Sequence, residues 1–308
     1  MLSYIARRLI STIPVLFGMA TITFLLMYVV PGDPVLNMVG ERASEETIRN
    51  LREELGLDRP IYVRYGRYLW RIVHLDLGRS YYTNCEVSHE LVKKFPNTLK
   101  LALSAMIIAS FLGLMLGVLS SIKKGTWIDY LIMFFAALGI STPVFWLGLL
   151  LMLIFSIYLK VLPSSGMGEG LSYLILPAFT LATRSIAFIA RITRSSMLEV
   201  LGQDYIRTAR AKGLKENAVI FKHALKNALI PVVTLIGLDF GSYLSGSVLT
   251  ETIFGWPGLG RYAVMEGIMK RDLPVVMGTV LFGAFVFVLV NLVVDILYRF
   301  LDPRIEYE

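Results

Sequence analysis

Six stretches of this chain, at 9–30, 98–122, 128–159, 174–192, 228–250 and 275–297, are predominantly apolar over about the length of a bilayer-spanning helix. An α-helix rises about 1.5 Å per residue, so roughly twenty such residues cross a hydrocarbon core of about 30 Å. In that medium each backbone N–H and C=O must find its partner within the segment, and a helix does this for every residue. The mean hydropathy of +0.65 is far too high for a soluble domain of this length. These runs predict an all-α polytopic membrane protein with six transmembrane helices, an extracytoplasmic helical insertion and a short polar cytoplasmic helix, the one that the resemblance given below implies to be a coupling helix.

Residues 1–31 read as the first transmembrane helix. Arg7 and Arg8 precede a full-length apolar run with no Ala-x-Ala site after it, which predicts a retained span and not a cleaved signal. Pro31-Gly32-Asp33-Pro34 then turns the chain out of the bilayer. The polar segment 32–97 reads as an extracytoplasmic helical loop. Ser44 opens a helix that runs to Leu55 and stops at Gly56. Pro60 starts another, with Ile61, Tyr65, Tyr68, Leu69 and Ile72 at helical spacing and Arg64, Arg67 and Arg71 on its other side. It is either a cap on the membrane surface or a platform for a soluble partner.

Residues 98–308 form the remaining five spans. Gly113 and Gly117 give the second span a face for close helix packing. The run 128–159 would be about 48 Å long as one helix, too long for a straight span and too short for two plus a turn. It reads as one span kinked at Pro143, because two would place the basic residues near 210 outside, against the positive-inside rule. Both termini are then cytoplasmic. The segment from Glu251 to Tyr262, rich in Gly and Pro, reads as a turn or re-entrant stretch packed against protein.

The polar stretch 193–227 lies between two spans. Within it Asp204 serves as an N-cap and Gly213 as a C′ residue of a short helix. Arg207, Arg210 and Lys212 alternate there with Thr208, Ala209 and Ala211, so cations stand among small residues that allow close approach. The run Tyr205-Ile206-Arg207-Thr208-Ala209-Arg210-Ala211-Lys212-Gly213-Leu214, with His223 to Pro231 after it, resembles the ATPase-docking loop of binding-protein-dependent ABC importer permeases of the dipeptide, oligopeptide and nickel branch. In the wider family this loop opens Glu-Ala-Ala with a Gly four positions later. Arg207-Thr208-Ala209 and Gly213 stand in those places, the acidic residue is missing, and Lys226 replaces the Pro expected after Leu225. Pro31-Gly32-Asp33-Pro34, Leu55 to Pro60, Asp76 to Ser80 and Glu251 to Tyr262 resemble further landmarks of that branch.

The resemblance implies a homologous second permease subunit, two ABC ATPase subunits, an extracytoplasmic solute-binding protein and surrounding membrane lipid as partners, in a bacterial or archaeal inner membrane. It implies docking through Asp204, Tyr205, Arg207, Thr208, Ala209, Arg210, Ala211, Lys212, Gly213 and Leu214. Peptides are the implied cargo, with nickel chelates or glutathione as alternatives. A secondary transporter or channel is the competing class, and it would normally show internal repeats that are not visible here. No lysine precedes Ser or Thr, so the chain has no P-loop; ATP and magnesium belong to the partner ATPases, and the chain itself is read as neither enzyme nor cofactor carrier. One cysteine, Cys85, and three scattered histidines, His74, His89 and His223, give no metal set. The net charge of +7 lacks a basic stripe interleaved with aromatics, so no nucleic acid is expected. Ionisable residues within spans default to the protein interior or a water-filled path. Arg184 and Asp239 are therefore the candidate residues of a translocation path, close enough in depth to pair, while Asp295 reads as an interfacial charge.

Overall fold

The computed structural model describes residues 2–29, 34–39, 43–244 and 247–301. Pro31-Gly32-Asp33 and Ser245-Gly246, assigned above to a turn and to the fifth span, lie outside the described residues, as does the stretch 302–308. Among those described, the regular structure is helical, with one isolated bridge between Arg79 and Glu86. Helices α1 (Leu2–Val29), α2 (Pro34–Val39), α3 (Glu45–Leu55) and α4 (Ile61–Val73) precede the long α5 (Val87–Ile122). Helix α6 (Trp127–Ser141) is followed by α7 (Val144–Met152), which runs on as a π-helical turn, Leu153–Tyr158. Next come α8 (Ser172–Leu201), α9 (Asp204–Ala211) and α10 (Glu216–Ala218), the last leading through a π-helical turn, Val219–Ala224, into α11 (Leu225–Leu244). The chain closes with α12 (Val248–Ile253), α13 (Leu259–Tyr262), a π-helical turn, Ala263–Ile268, and α14 (Leu273–Leu301).

Four helical stretches, Val87–Ile122, Ser172–Leu201, Glu216–Leu244 and Leu273–Val294, are long and apolar enough to cross a membrane. A fifth crossing can come from α6 and the arm Val144–Tyr158, whose axes lie 106° apart. The break falls where the sequence expects it. Proline excludes the α region for the residue before it, and Thr142 is extended (φ −80, ψ 127) ahead of Pro143. The bend is far sharper than the kink expected of a single span. Each arm is only about 22 Å long, so the two together make one crossing at most. In α1 the apolar stretch Ile10–Leu26 is shorter than the other spans.

The chain divides into two compact units, Met1–Thr98 with Pro257–Val288, and Leu99–Trp256 with Leu289–Glu308. In the first, Ser44 caps α3 by accepting from the Thr47 N–H at 3.2 Å, and Gly56 ends it at φ +66, as read from the sequence. Helix α4 leans on α1, with the Phe24 ring 5.1 Å from that of Tyr65 and 5.4 Å from that of Tyr68. Val87, Leu91, Leu259, Tyr262 and Val275 form an apolar core, beside which buried Ser80 donates to Asp272 at 2.6 Å.

In the second unit α8 is central, packed against α6, α7 and α11. Its approach to α5 depends on missing side chains. A Cβ at Gly113 would come within 2.7 Å of Ile189, and one at Gly117 within 2.5 Å of Thr193. The small-residue face read from the sequence is this contact. Phe254 and Trp256 are buried, and Leu259 is buried in the first unit, so the stretch from Glu251 to Tyr262 is indeed packed against protein.

Candidate functional site

The chain leaves α8 at Gly202 and enters α9 almost at once, with Gln203 as N-cap (φ −75, ψ 152). Asp204, expected at the cap, is instead the first helical residue, where its carboxylate still meets the positive end of the helix. Gly213 takes the left-handed conformation expected of it, φ +76, and its N–H donates to the Arg210 carbonyl at 2.9 Å. The polar stretch 193–227 is shorter as a connection than it looked. Helix α8 continues to Leu201, and α11 has begun by Leu225. Arg, Ser, Met and Glu do not break a helix, so the change in polarity at 193 marks an environment and not an end.

Helix α9 has two faces. Ile206 is fully buried and Ala209 is 7% exposed; with Val118, Met197, Val219, Ile220, Ala224 and Ala228 they form an apolar core. Two residues three apart share one helix face, and this pair pins α9 to the ends of α5, α8 and α11. Ala209, grouped above with the docking residues, therefore faces this chain's own core. Asp204, Tyr205, Arg207, Thr208, Arg210, Ala211, Lys212, Gly213 and Leu214 are all exposed. Two polar ties brace the outer side. Arg210 grips Glu216 with two hydrogen bonds of 2.6 and 3.1 Å, and Asn227 donates to the Tyr205 hydroxyl at 2.7 Å. The result is a short, rigidly seated helix whose outward surface mixes an aromatic ring, aliphatic carbon and cations, the composition of a protein-binding surface.

Arg184 and Asp239, the two candidates within the spans, are brought to one place. They line a cavity of about 470 Å³ between α8 and α11, together with Ser185, Ser242, Tyr243 and Ser247. Leu181, Arg184, Ser185 and Phe188 recur on one face of α8, and Leu235, Asp239, Ser242 and Tyr243 on one face of α11. The expected direct pair does not form: no Arg184 nitrogen comes within 4.0 Å of Asp239 oxygen. Asp239 accepts instead from the Ser185 hydroxyl, which touches Tyr243, and Tyr243 donates to the Leu181 carbonyl at 3.0 Å. The Arg184 guanidinium lies 5.6 Å from the centre of the Phe188 ring. Ser185 and Tyr243 were not singled out in the sequence. Their spacing to Arg184 and Asp239 was the available signal.

Another charged cluster was missed entirely. Asp129, 2% exposed, takes two hydrogen bonds from Arg194, at 2.7 and 2.8 Å, one from Ser120 at 2.5 Å and one from the Gly125 N–H at 3.0 Å. Bidentate Arg–carboxylate geometry of this kind fixes orientation as well as distance. It ties the end of α5, the start of α6 and the last third of α8 together, within one helical turn of Val118 and Met197 in the core beneath α9.

Comparison with known proteins places these features in a family. Residues 91–307 match the family described as binding-protein-dependent transport system inner membrane component, and residues 1–102 match its N-terminal counterpart. A dipeptide transport system permease protein, DppB, of Alkalihalophilus pseudofirmus is 45% identical over 334 residues, and the DppB of Escherichia coli (strain K12) 44% over 339, each alignment covering 100% of both chains. A putative peptide transport system permease protein of Brucella suis biovar 1 is 45% identical over 315 residues, again across both whole chains. Among solved structures, an inward-facing MetNI methionine ABC transporter chain overlays 69% of this chain and 96% of its own length with a TM-score of 0.58 at 19% identity. A chain of an amino acid ABC transporter gives 0.54 at 18% identity, covering 69% and 94%. At such identities the overlays speak for the fold alone. With family matches that together run from residue 1 to residue 307 and full-length relatives at 45% identity, the chain belongs to the binding-protein-dependent transport system inner membrane components, in the dipeptide/oligopeptide branch of ABC importer permeases.

Proposed function

We propose that this chain is one of two homologous permease subunits that carry peptides across the inner membrane, driven by two ATPase subunits that dock on the outer face of α9. Magnesium and ATP are bound by those ATPases, and an extracytoplasmic binding protein delivers the peptide. Six crossings are counted as the four long spans, the bent pair around Pro143, and α1, with both termini and α9 on the cytoplasmic side. The observation that carries this reading is the division of α9: Ile206 and Ala209 seat it in the chain's own core, while Tyr205, Arg207, Thr208, Ala211, Lys212 and Leu214 are left facing outward. A helix built in this way transmits a push on its outer face to the ends of α5, α8 and α11. Membrane lipid covers the exposed apolar faces of the long spans.

The test is uptake of radiolabelled alanyl-alanine by proteoliposomes that hold the complete complex, with binding protein added on one side and ATP on the other. Uptake should require ATP. Ala211→Trp, which puts a large ring on the outward face without touching the core, should abolish uptake while the permease subunits still assemble. Uptake that proceeds without ATP, or at wild-type rate in Ala211→Trp, would contradict the assignment.

A further inference from the structure

We propose that the cavity between α8 and α11 is a binding site for the two charged ends of a zwitterionic peptide, with Arg184 receiving the carboxylate and Asp239 the ammonium group. This rests on the reading of the chain as a peptide permease and adds to it a step of recognition inside the membrane subunit.

Both charges are left with capacity to spare. Arg184 makes no hydrogen bond among the described residues, and its guanidinium is held over Phe188, which orients the planar fork without using its N–H groups. Ten residues along the same helix, Arg194 shows what that fork does when a carboxylate is in reach: it binds both oxygens of Asp129. Asp239 uses one oxygen, Oδ2, to accept from Ser185, and its other oxygen has no partner among the described residues. Ser185 is itself fixed by contact with Tyr243, so the carboxylate is positioned by α8 and α11 together.

The walls match the rest of such a ligand. Ser242, Ser247 and the Tyr243 hydroxyl can serve a peptide bond, while Val144, Leu181, Phe188 and Leu235 offer apolar surface to side chains. The volume of about 470 Å³ lies within the roughly 300–1,000 Å³ of small-molecule sites. One cation and one carboxylate kept apart in one cavity attract a ligand that carries both charges. A ligand with one charge leaves the opposite member unanswered at a depth where an unpaired charge is costly.

Equilibrium dialysis of radiolabelled alanyl-alanine against the purified permease–ATPase complex, without binding protein, tests this directly. Wild-type complex should retain the dipeptide, and Arg184→Gln and Asp239→Asn should each weaken retention at least tenfold, while Arg191→Gln on the same helix should not. N-acetyl alanyl-alanine should bind wild type as poorly as alanyl-alanine binds Asp239→Asn. The exchange Arg184→Asp with Asp239→Arg keeps one charge of each sign and should recover part of the binding, which a mere loss of folding would not allow. Equal retention by wild type and both single variants, or no retention by a wild-type complex that imports the dipeptide normally, would overturn the site and leave the peptide permease standing. Failure of the wild-type complex to import any peptide would overturn both.

Discussion

Two arginines on one helix, ten residues apart, meet opposite fates. Arg194 is held by a carboxylate that is itself saturated, with Asp129 taking four hydrogen bonds from three parts of the chain. Arg184 lines a cavity together with Asp239, and no ion pair joins them. In sequence Arg184 lies inside an apolar run and Arg194 just past the end of it, and neither names its partner. What separates them is whether the nearby carboxylate is bonded to the arginine, as Asp129 is, or to another group, as Asp239 is to Ser185. The closed pair is suited to fixing helix ends, and the open pair to meeting something that comes and goes.

Breaking the closed pair should have the largest effect. Asp129→Ala strands Arg194, Ser120 and the Gly125 N–H together, and each buried polar group left unsatisfied costs about 1–3 kcal/mol. Thermal unfolding of the purified complex should show a drop of several degrees, and reduced yield. Arg184→Ala should leave the midpoint close to that of wild type, since no partner loses its bond. A large drop for Arg184→Ala with none for Asp129→Ala would reverse the roles assigned to the two sites.

The same contrast applies across α9. Ile206→Ala empties a fully buried position and should cost about 2–5 kcal/mol. Tyr205→Ala, on the outer side, should cost little stability and lower ATP-driven uptake instead. Unfolding midpoints and uptake rates measured on the same two variants separate seat from surface; if both fall together in each variant, the two faces are not distinct. A smaller effect is expected at Gly213. Its φ of +76 lies where a β-carbon is strained, although no atom stands within 4 Å of the added carbon. Gly213→Ala should therefore cost roughly 1 kcal/mol, and uptake should fall modestly. Unchanged stability there would show that α9 can end without a left-handed residue.

Where local chemistry decided the outcome, the sequence was readable. Ser44 and Gly56 bound α3 as their side-chain chemistry and backbone freedom require, and Gly113 and Gly117 lie where α5 meets α8. Arg184 and Asp239 share a cavity, which their counted depths in two spans allowed. The Asp129–Arg194 pair was not readable, because the partners are 65 residues apart and each looked like an ordinary charge at a span end. Nor was the burial of Ala209, which stands in a motif whose cations dominate the eye while Ile206 and Ala209 carry the helical period beneath them. Pro143 announced a break, but a proline fixes only its own φ and the conformation before it, and the 106° between the arms is set by packing.

The claim on which the account depends is that ATPase subunits cover the outward face of α9. Cysteine labelling tests it most directly, with Thr208→Cys introduced into a Cys85→Ser background, since the native cysteine is exposed. In membranes carrying the whole complex a maleimide should fail to label residue 208, and labelling should appear once the ATPase subunits are stripped away. Labelling at the same rate before and after stripping would contradict the account.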